Sequence, residues 1–453
     1  MELTNKRVVV VGFGLTGQAV CDFLLGQQAS ITVSDKKPES ELKKIDYYKA
    51  KGVRFDTGAN RLETLLQAEL IVMSPGVPPL PEVLMAREKG LKVISEIELA
   101  YPYLRGKLIG VTGSNGKSTT TTLICTILKK AGFKVYLTGN IGQPLISFVG
   151  QVKPGQLIVT ELSSFQLEFT EKFRTDLSVF LNVSPNHLDW HKTFDSYFQA
   201  KKKLFDHRQP GDQVIVNRDD PCLWAWRQEE KHELYAFSRK HSVPRGCYLQ
   251  GSKICFKLGE EIPVIEVKDI KLRGVHNQEN VMAASLAAYL AGASLLSIRQ
   301  AVRGFKGLEH RLEEVRKIRG VLFVNDSKAT TVEATIKAIE SFDQPILLIL
   351  GGRDKGGDFS PLRRALKGKV KQVLLIGEAR EKIRQAIEGV CPIEEAATFR
   401  ELVEKAYSQA SPGEVVLLSP ACTSWDMFNN FEERGRLFKK EVNRLAGKVT
   451  GKK

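Results

Sequence analysis

The chain has 453 residues, which at roughly 100–200 residues per domain predicts about three domains. Hydrophobic residues make up 42% and charged residues 26%, with 37 Gly and 18 Pro, so collagen-like and low-complexity classes are excluded. Lys+Arg total 67 against 52 Asp+Glu, a net +15, which fits either generic solubility or an anionic partner: nucleic acid, an acidic membrane surface or a phosphorylated small molecule. No apolar run approaches the ~18 residues of a membrane helix, and Met1–Arg7 contains no signal-peptide core. The seven scattered cysteines form no C-x-x-C pair. These features predict a cytoplasmic protein without membrane insertion.

In chain order, Val8–Val11, a helix near Gln18–Leu25 and Ile31–Val33 read as strand, helix, strand, the start of a parallel unit. Leu70–Met73 and Val93–Ile94 extend it. Leu108–Thr112 opens a second unit with a helix at Thr119–Lys130, and Leu157–Thr160, Ser178–Leu181 and Asp212–Val216 supply further strands. Residues 235–272 read as a small antiparallel insertion, and Asn277–Ala291 as a helix. Gly304 and Gly307 mark a hinge. Val321–Val324, Ile346–Leu350, Val373–Ile376 and Val415–Leu418 build a third unit with helices between its strands, again implying a parallel sheet. Residues 1–96 carry 13 basic and 12 acidic residues (+1), 97–306 carry 28 and 19 (+9), and 307–453 carry 26 and 21 (+5).

Gly12-Phe13-Gly14-Leu15-Thr16-Gly17 fits G-x-G-x-x-G between a strand and a helix, where glycines allow a tight turn and the helix N-terminus attracts a phosphate. Asp35 ends the next strand, placed to accept sugar hydroxyls. This turn fits a dinucleotide cofactor or a nucleotide-sugar substrate. Residues 112–119, Thr-Gly-Ser-Asn-Gly-Lys-Ser-Thr, form a P-loop. Backbone N–H groups of Gly113, Ser114, Asn115 and Gly116 cradle phosphates, Lys117 neutralises charge, and Ser118 and Thr119 follow with hydroxyls. Val111 stands where the strict pattern wants Gly. Glu161 and His187 each follow a strand, where a carboxylate and a neutral imidazole suit Mg²⁺.

These motifs resemble the Mur ligase family, the cytoplasmic ATP-dependent amide ligases of peptidoglycan precursor synthesis. The P-loop variant, Thr138-Gly139-Asn140-Ile141-Gly142, Glu161–Leu167, Asn182–Asp189 and Tyr197–Lys201 resemble family segments in the right order. The resemblance implies an α/β fold of three domains: an N-terminal Rossmann-like domain (1–96) for a UDP-sugar, a central P-loop ATPase-type domain (97–306) with a mostly parallel sheet, and a C-terminal Rossmann-like domain (307–453) for an amino acid. It implies that Lys117, His187, Lys201 and Arg311 act in catalysis. Gly113–Thr119, Asn277, Asn280, Arg311 and Asp326 would bind ATP. Ser118, Glu161, His187 and Lys201, the last as a CO₂-derived carbamate, would hold two Mg²⁺ ions. Gly14, Leu15, Thr16, Asp35, Lys36, Ser74, Pro75, Gly76 and Asn140 would bind the UDP substrate; the family's Thr-Arg after the Asp is Lys36-Lys37 here.

Residues 325–330, 351–355 and 418–428 resemble the D-glutamate-adding members. In those, positions matching Lys328, Thr330, Lys355, Ser424 and Phe431 line the amino-acid pocket, and a dicarboxylate needs such cations and donors. The implied partners are UDP-N-acetylmuramoyl-L-alanine and D-glutamate, with no nucleic acid and a monomeric enzyme. A related ligase adding another amino acid, an NAD-dependent dehydrogenase (from residues 12–35) and a nucleic-acid-binding NTPase (from the charge) are the competing readings.

Overall fold

The structure is a computed structural model that describes residues 2–77, 80–227, 234–354 and 356–450. It separates into two compact units: residues 1–271 with 275–305, and 272–274 with 306–453. The division falls between Phe305 and Lys306, between the two expected hinge glycines.

Among the described residues, the first unit contains two sheets. One joins β1 (Arg7–Val11), β2 (Ser30–Asp35), β3 (Arg54–Thr57), β4 (Leu70–Met73) and β5 (Val93–Ser95) in the order β3-β2-β1-β4-β5, all parallel. Burial on both faces explains why β1 and β4 read as continuous apolar runs. The other comprises β6 (Lys107–Thr112), β7 (Val135–Gly139), β8 (Leu157–Glu161), β9 (Leu177–Phe180), β10 (Gln213–Asn217), β11 (Leu234–Ser238), β12 (Gly246–Gln250), β13 (Lys253–Lys257) and β14 (Glu261–Glu266), in the order β14-β13-β12-β11-β10-β9-β6-β8-β7. Residues 235–272, expected as a small antiparallel insertion, instead extend this sheet. β11 and β12 continue the sheet in parallel, and only β13 and β14 turn antiparallel. One apolar cluster runs from Leu3 and Val8 to Phe205 and Trp226, so both sheets share a core.

The second unit is a single sheet, β15 (Glu313–Ile318), β16 (Val321–Asn325), β17 (Ile346–Gly351), β18 (Val370–Ile376), β19 (Ile393–Glu395) and β20 (Val415–Leu418), in the order β15-β16-β20-β17-β18-β19. It is parallel except for β15, which pairs antiparallel with β16 at the edge. In each sheet the strand preceding a motif lies between two others, and ligands of such sheets gather at the carboxyl ends where strand order reverses. Among the described residues, no helix is long and apolar enough to cross a membrane.

Candidate active site

The P-loop links β6 to the helix Lys117–Lys130. Gly116 caps that helix at φ +85°, and a Cβ there would lie 2.2 Å from Asn280 Oδ1, so only glycine fits. Asn280 also accepts from Thr120 Oγ1 (3.3 Å) and donates to Asn277 Oδ1 (2.9 Å). Of the two expected nucleotide-side asparagines, Asn280 thus stands against the loop, and Asn277 is bonded to Asn280. Ser114 N donates to Asn182 O (2.9 Å), and Asn115 N to Asn182 Oδ1 (2.8 Å). Lys117 Nζ folds back to donate to Gly113 O (2.8 Å) and Ser114 O (3.0 Å). Ser118 and Thr119 are buried just inside the helix.

Beside the loop lies a cluster of ionisable side chains. Thr193 caps the helix Phe194–Lys202 by accepting from Ser196 N, and this helix carries Tyr197 and Lys201 inward. Lys201 is only 1% exposed. Its Nζ donates to Gly113 O (2.9 Å) and Thr112 Oγ1 (3.5 Å) and lies 4.8 Å from the Tyr197 ring centre. Burial, then the charge of Lys117, push its ammonium well below the usual lysine range, with Glu161 opposing. Tyr197 Oη shares a 2.9 Å hydrogen bond with Ser114 Oγ.

Glu161, buried at the end of β8, accepts from Asn140 Nδ2 through Oε1 (3.0 Å), while its Oε2 is buried with no partner. A carboxylate oxygen left unpaired beside a lysine held towards its neutral form fits a cation-binding role. Asn140, expected among the UDP contacts, is thus found at Glu161, with its own N–H donating to Glu161 O (3.0 Å). His187 sits in a turn at φ +54° with its ring edge-on to Phe165, 4.7 Å between centres, and 6.3 Å from the Tyr197 ring.

At the first sheet, Gly17 stands where a Cβ would lie 2.0 Å from Gly12 O, which explains the third glycine of the motif. Ser74 Oγ ties the turn to the end of β4 by donating to Gly12 O (2.9 Å). Asp35 accepts from Phe13 N (2.7 Å) and Lys37 N (2.9 Å), so it also orders the turn. Leu15 is 58% exposed. Gly14, Lys36 and Gly76 are exposed, and Thr16 and Pro75 half-buried.

In the second unit, Lys328 Nζ lies 5.6 Å from the Phe431 ring centre, and Ser327 Oγ donates to Phe431 O (2.8 Å). Ser424 is buried with its Oγ unpaired, and Thr330 is half-buried. Lys355 lies outside the described residues. Arg434, in the first turn of the helix Phe431–Thr450, escaped the sequence reading because its stretch, FEERGR, looks like a charged surface. It is 1% exposed, and its guanidinium donates to Ser327 Oγ (3.0 Å), Ser327 O (2.8 Å), Cys422 O (3.1 Å) and Thr423 O (3.2 Å). It thereby joins the loops that carry Lys328 and Ser424. Lysine has three donors on a point charge in place of a five-donor planar fork. Arg434→Lys is therefore expected to cost about 3 kcal/mol of stability, seen as a lowered denaturation midpoint. An unchanged midpoint would refute the clamp.

Arg311 belongs to the same unit and offsets part of the burial of Asp326. Asp326 accepts from Leu312 N (3.1 Å) and Ser419 Oγ (2.8 Å), and burial pushes its carboxyl up to about 7. A raised carboxyl means the folded state holds more protons than the unfolded state between about pH 4 and 7, so stability falls as pH rises through that window. The Asp326→Asn variant is expected to gain in melting temperature over the parent from pH 5 to pH 8; a gain that shrinks as pH rises would contradict this. His310, the chain neighbour of Arg311, is buried, and its Nδ1 accepts from Asn325 Nδ2 (2.8 Å). It groups with Glu309 and Glu313, but the Lys439 ammonium bridges those two carboxylates (2.9 and 2.5 Å), so a cation is already supplied there.

Family models match three stretches: Mur ligase MurD-like, N-terminal domain (6–95), Mur ligase middle domain (111–288), and Mur ligase, glutamate ligase domain (310–422). The chain is 42% identical over 452 residues to a UDP-N-acetylmuramoylalanine--D-glutamate ligase of Thermoanaerobacter pseudethanolicus, covering 98% of this chain and 100% of the relative. It is 44% identical over 444 residues to the ligase of that name from Acidobacterium capsulatum, covering 97% and 96%. Among solved structures, its fold is similar to UDP-N-acetylmuramate-alanine ligase MurC of Thermotoga maritima (TM-score 0.60, 16% identity, 97% and 100% covered). The MurF ligase of Thermotoga maritima in complex with ADP is similar too (0.58, 17%, 98% and 97%). Three matched models in chain order and end-to-end identity above 40% establish that the chain belongs to the Mur ligase family.

Proposed function

We propose that this protein is an ATP-dependent amide ligase that adds D-glutamate to UDP-N-acetylmuramoyl-L-alanine in peptidoglycan precursor synthesis, acting as a cytoplasmic monomer. The observation that carries this reading is the end-to-end likeness to ligases of that name. Residues 1–96 take the nucleotide-sugar, 97–306 take ATP and 307–453 take the amino acid.

A carboxylate is a poor electrophile, so the terminal carboxylate of the nucleotide-sugar first attacks the γ-phosphorus of ATP, and ADP leaves. The amine of D-glutamate then attacks the acyl phosphate carbon, loses a proton, and phosphate departs. The backbone N–H groups of Gly113, Gly116, Lys117 and Ser118 cradle the phosphates, and the Lys117 ammonium and Arg311 stabilise the transferring charge. Asn277, Asn280, Thr119 and Asp326 hold the rest of the nucleotide. Gly14, Leu15, Thr16, Asp35, Lys36, Ser74, Pro75, Gly76 and Asn140 hold the UDP substrate. Lys328, Thr330, Lys355, Ser424 and Phe431 receive D-glutamate.

Ser118, Glu161, His187 and Lys201 would hold Mg²⁺, which when bound draws charge from the phosphate oxygens. Lys201 joins that set as a carbamate. Its neutral amine adds to CO₂, an N–C bond forms, and the ammonium-type proton is lost to solvent, leaving an anion. The depressed basicity of Lys201 supports this, because only the neutral amine reacts.

The reading is tested by measuring phosphate release with ATP, Mg²⁺ and UDP-N-acetylmuramoyl-L-alanine against D-glutamate, L-glutamate, L-lysine and diaminopimelate. Turnover with D-glutamate alone is expected. Turnover with L-lysine or diaminopimelate instead would replace the substrate assignment, and none with any amino acid would remove it.

A further inference from the structure

Between the stretches matched by the N-terminal and middle family models lies a segment, residues 96–110, that neither covers. It begins with two buried glutamates in the short helix Glu96–Ala100. Glu98 accepts from three consecutive N–H groups, of Glu171 (3.0 Å), Lys172 (3.1 Å) and Phe173 (2.9 Å). That is a fully used carboxylate, and its work is to pin one loop.

Glu96 is different. It is 0% exposed, and its Oε1 accepts from Ile146 N at 2.6 Å, with Leu145 N also directed at the carboxylate. Its Oε2 is buried with no partner. Burial pushes its carboxyl up to about 7, against the pull of those two N–H groups. A half-used buried carboxylate is costly, so a purely structural position would be better served by an amide or an apolar residue.

The loop that Glu96 grips runs from one proposed substrate contact, Asn140, to a groove lined by another, Leu15. At one end Asn140 is bonded to Glu161 through its side chain and its backbone. Gly139 N donates to Gln143 O (3.2 Å), closing the turn between them. At the other end, Gln143, Ile146 and Ser147 form one wall of a groove of ≈ 510 Å³ whose opposite wall is Leu15, Gln18 and Phe23 of the helix after the glycine-rich turn. The loop's position therefore sets both the groove width and the placement of Asn140, and Glu96 is the hydrogen-bonding side chain at its far end.

We propose that Glu96 is a positioning residue for the nucleotide-sugar, holding the loop 140–146 at a fixed distance from the glycine-rich turn. This rests on the substrate reading above. It reaches the substrate only through the loop, while the P-loop is held by its own contacts to Asn182, Asn280 and Tyr197.

The test compares two neutral replacements of similar length. Glu96→Gln keeps a carbonyl acceptor for Ile146 N–H, whereas Glu96→Met fills the space without one. The glutamine variant is expected to keep KM for UDP-N-acetylmuramoyl-L-alanine within about threefold of the parent. In the methionine variant that KM should rise about tenfold, with KM for ATP and D-glutamate within about twofold; these bounds correspond to losing one charge-assisted hydrogen bond. Thermal unfolding is followed in parallel. Equal KM values in the two variants, or a methionine effect spread over all three substrates, would overturn the proposal. So would failure of the methionine variant to fold, which would assign Glu96 to the fold alone. Parent enzyme that does not turn over UDP-N-acetylmuramoyl-L-alanine would instead sink the substrate reading, before any variant is compared.

Discussion

Lys201→Ala is expected to lose about 10³-fold or more in turnover and to regain part of it when short carboxylates such as formate or acetate are added. The size follows from removing a preorganised charge from a site shut off from water. The rescue follows from the geometry. Lys201 is buried, its Nζ touches Gly113 O of the P-loop, and the deletion leaves a space beside Glu161 and Lys117. A small anion placed there would restore the charge proposed for the carbamate, whereas Lys201→Arg keeps a cation that cannot become one. Turnover is followed by phosphate release, and folding by circular dichroism. A folded Lys201→Ala enzyme with no response to any carboxylate would count against the carbamate and leave Lys201 as a structural donor to the loop.

The second large effect is expected from Lys117→Ala. Phosphate release should fall by roughly 10³-fold, because the proposed mechanism sets this ammonium against the transferring phosphoryl group. Lys117 Nζ donates to Gly113 O and Ser114 O, so the side chain is already folded over the loop that would receive the phosphates. Its removal also takes away the charge that, after burial, pushes the Lys201 ammonium below the usual lysine range. The variant should therefore require a higher pH or more dissolved CO₂ to load Lys201, a second signature read by ¹³C labelling with bicarbonate. Retained ATP-dependent turnover would remove Lys117 from the reaction.

The chemistry-bearing turns were legible because they are local. A P-loop needs its glycines, lysine and hydroxyls within eight consecutive residues, and Thr112–Thr119 supplies them whatever the rest of the chain does. Central strands were legible for a similar reason. β1, β4, β17 and β20 are buried on both faces, so apolar runs such as Val8–Val11 and Ile346–Leu350 announce them. The strands without such a signature are β3, β7, β15 and β19, and every one lies at the edge of its sheet. Sequences such as RFDT, IEE and EEVRKI face solvent on one side and have no apolar run to show.

The net charge meant little by itself. Of the three consecutive lysines 201–203, the helical turn buries Lys201 and leaves Lys202 and Lys203 only half-buried, a distinction of about 100° per residue that a run of like charges conceals. Arg434 and Glu96 are hidden in the same way. Each sits in a charged stretch that reads as surface, and each becomes informative only when the fold takes it out of water. The sequence alone determined the α/β class, the phosphate turns and the family resemblance, since these depend on residues close in the chain. Tertiary structure alone decided which ionisable groups are buried, which oxygens remain unpaired and which loops share a clamp. Desolvation depends on neighbours brought from far along the chain, and it, not residue type, turns an ordinary lysine, arginine or glutamate into a perturbed one.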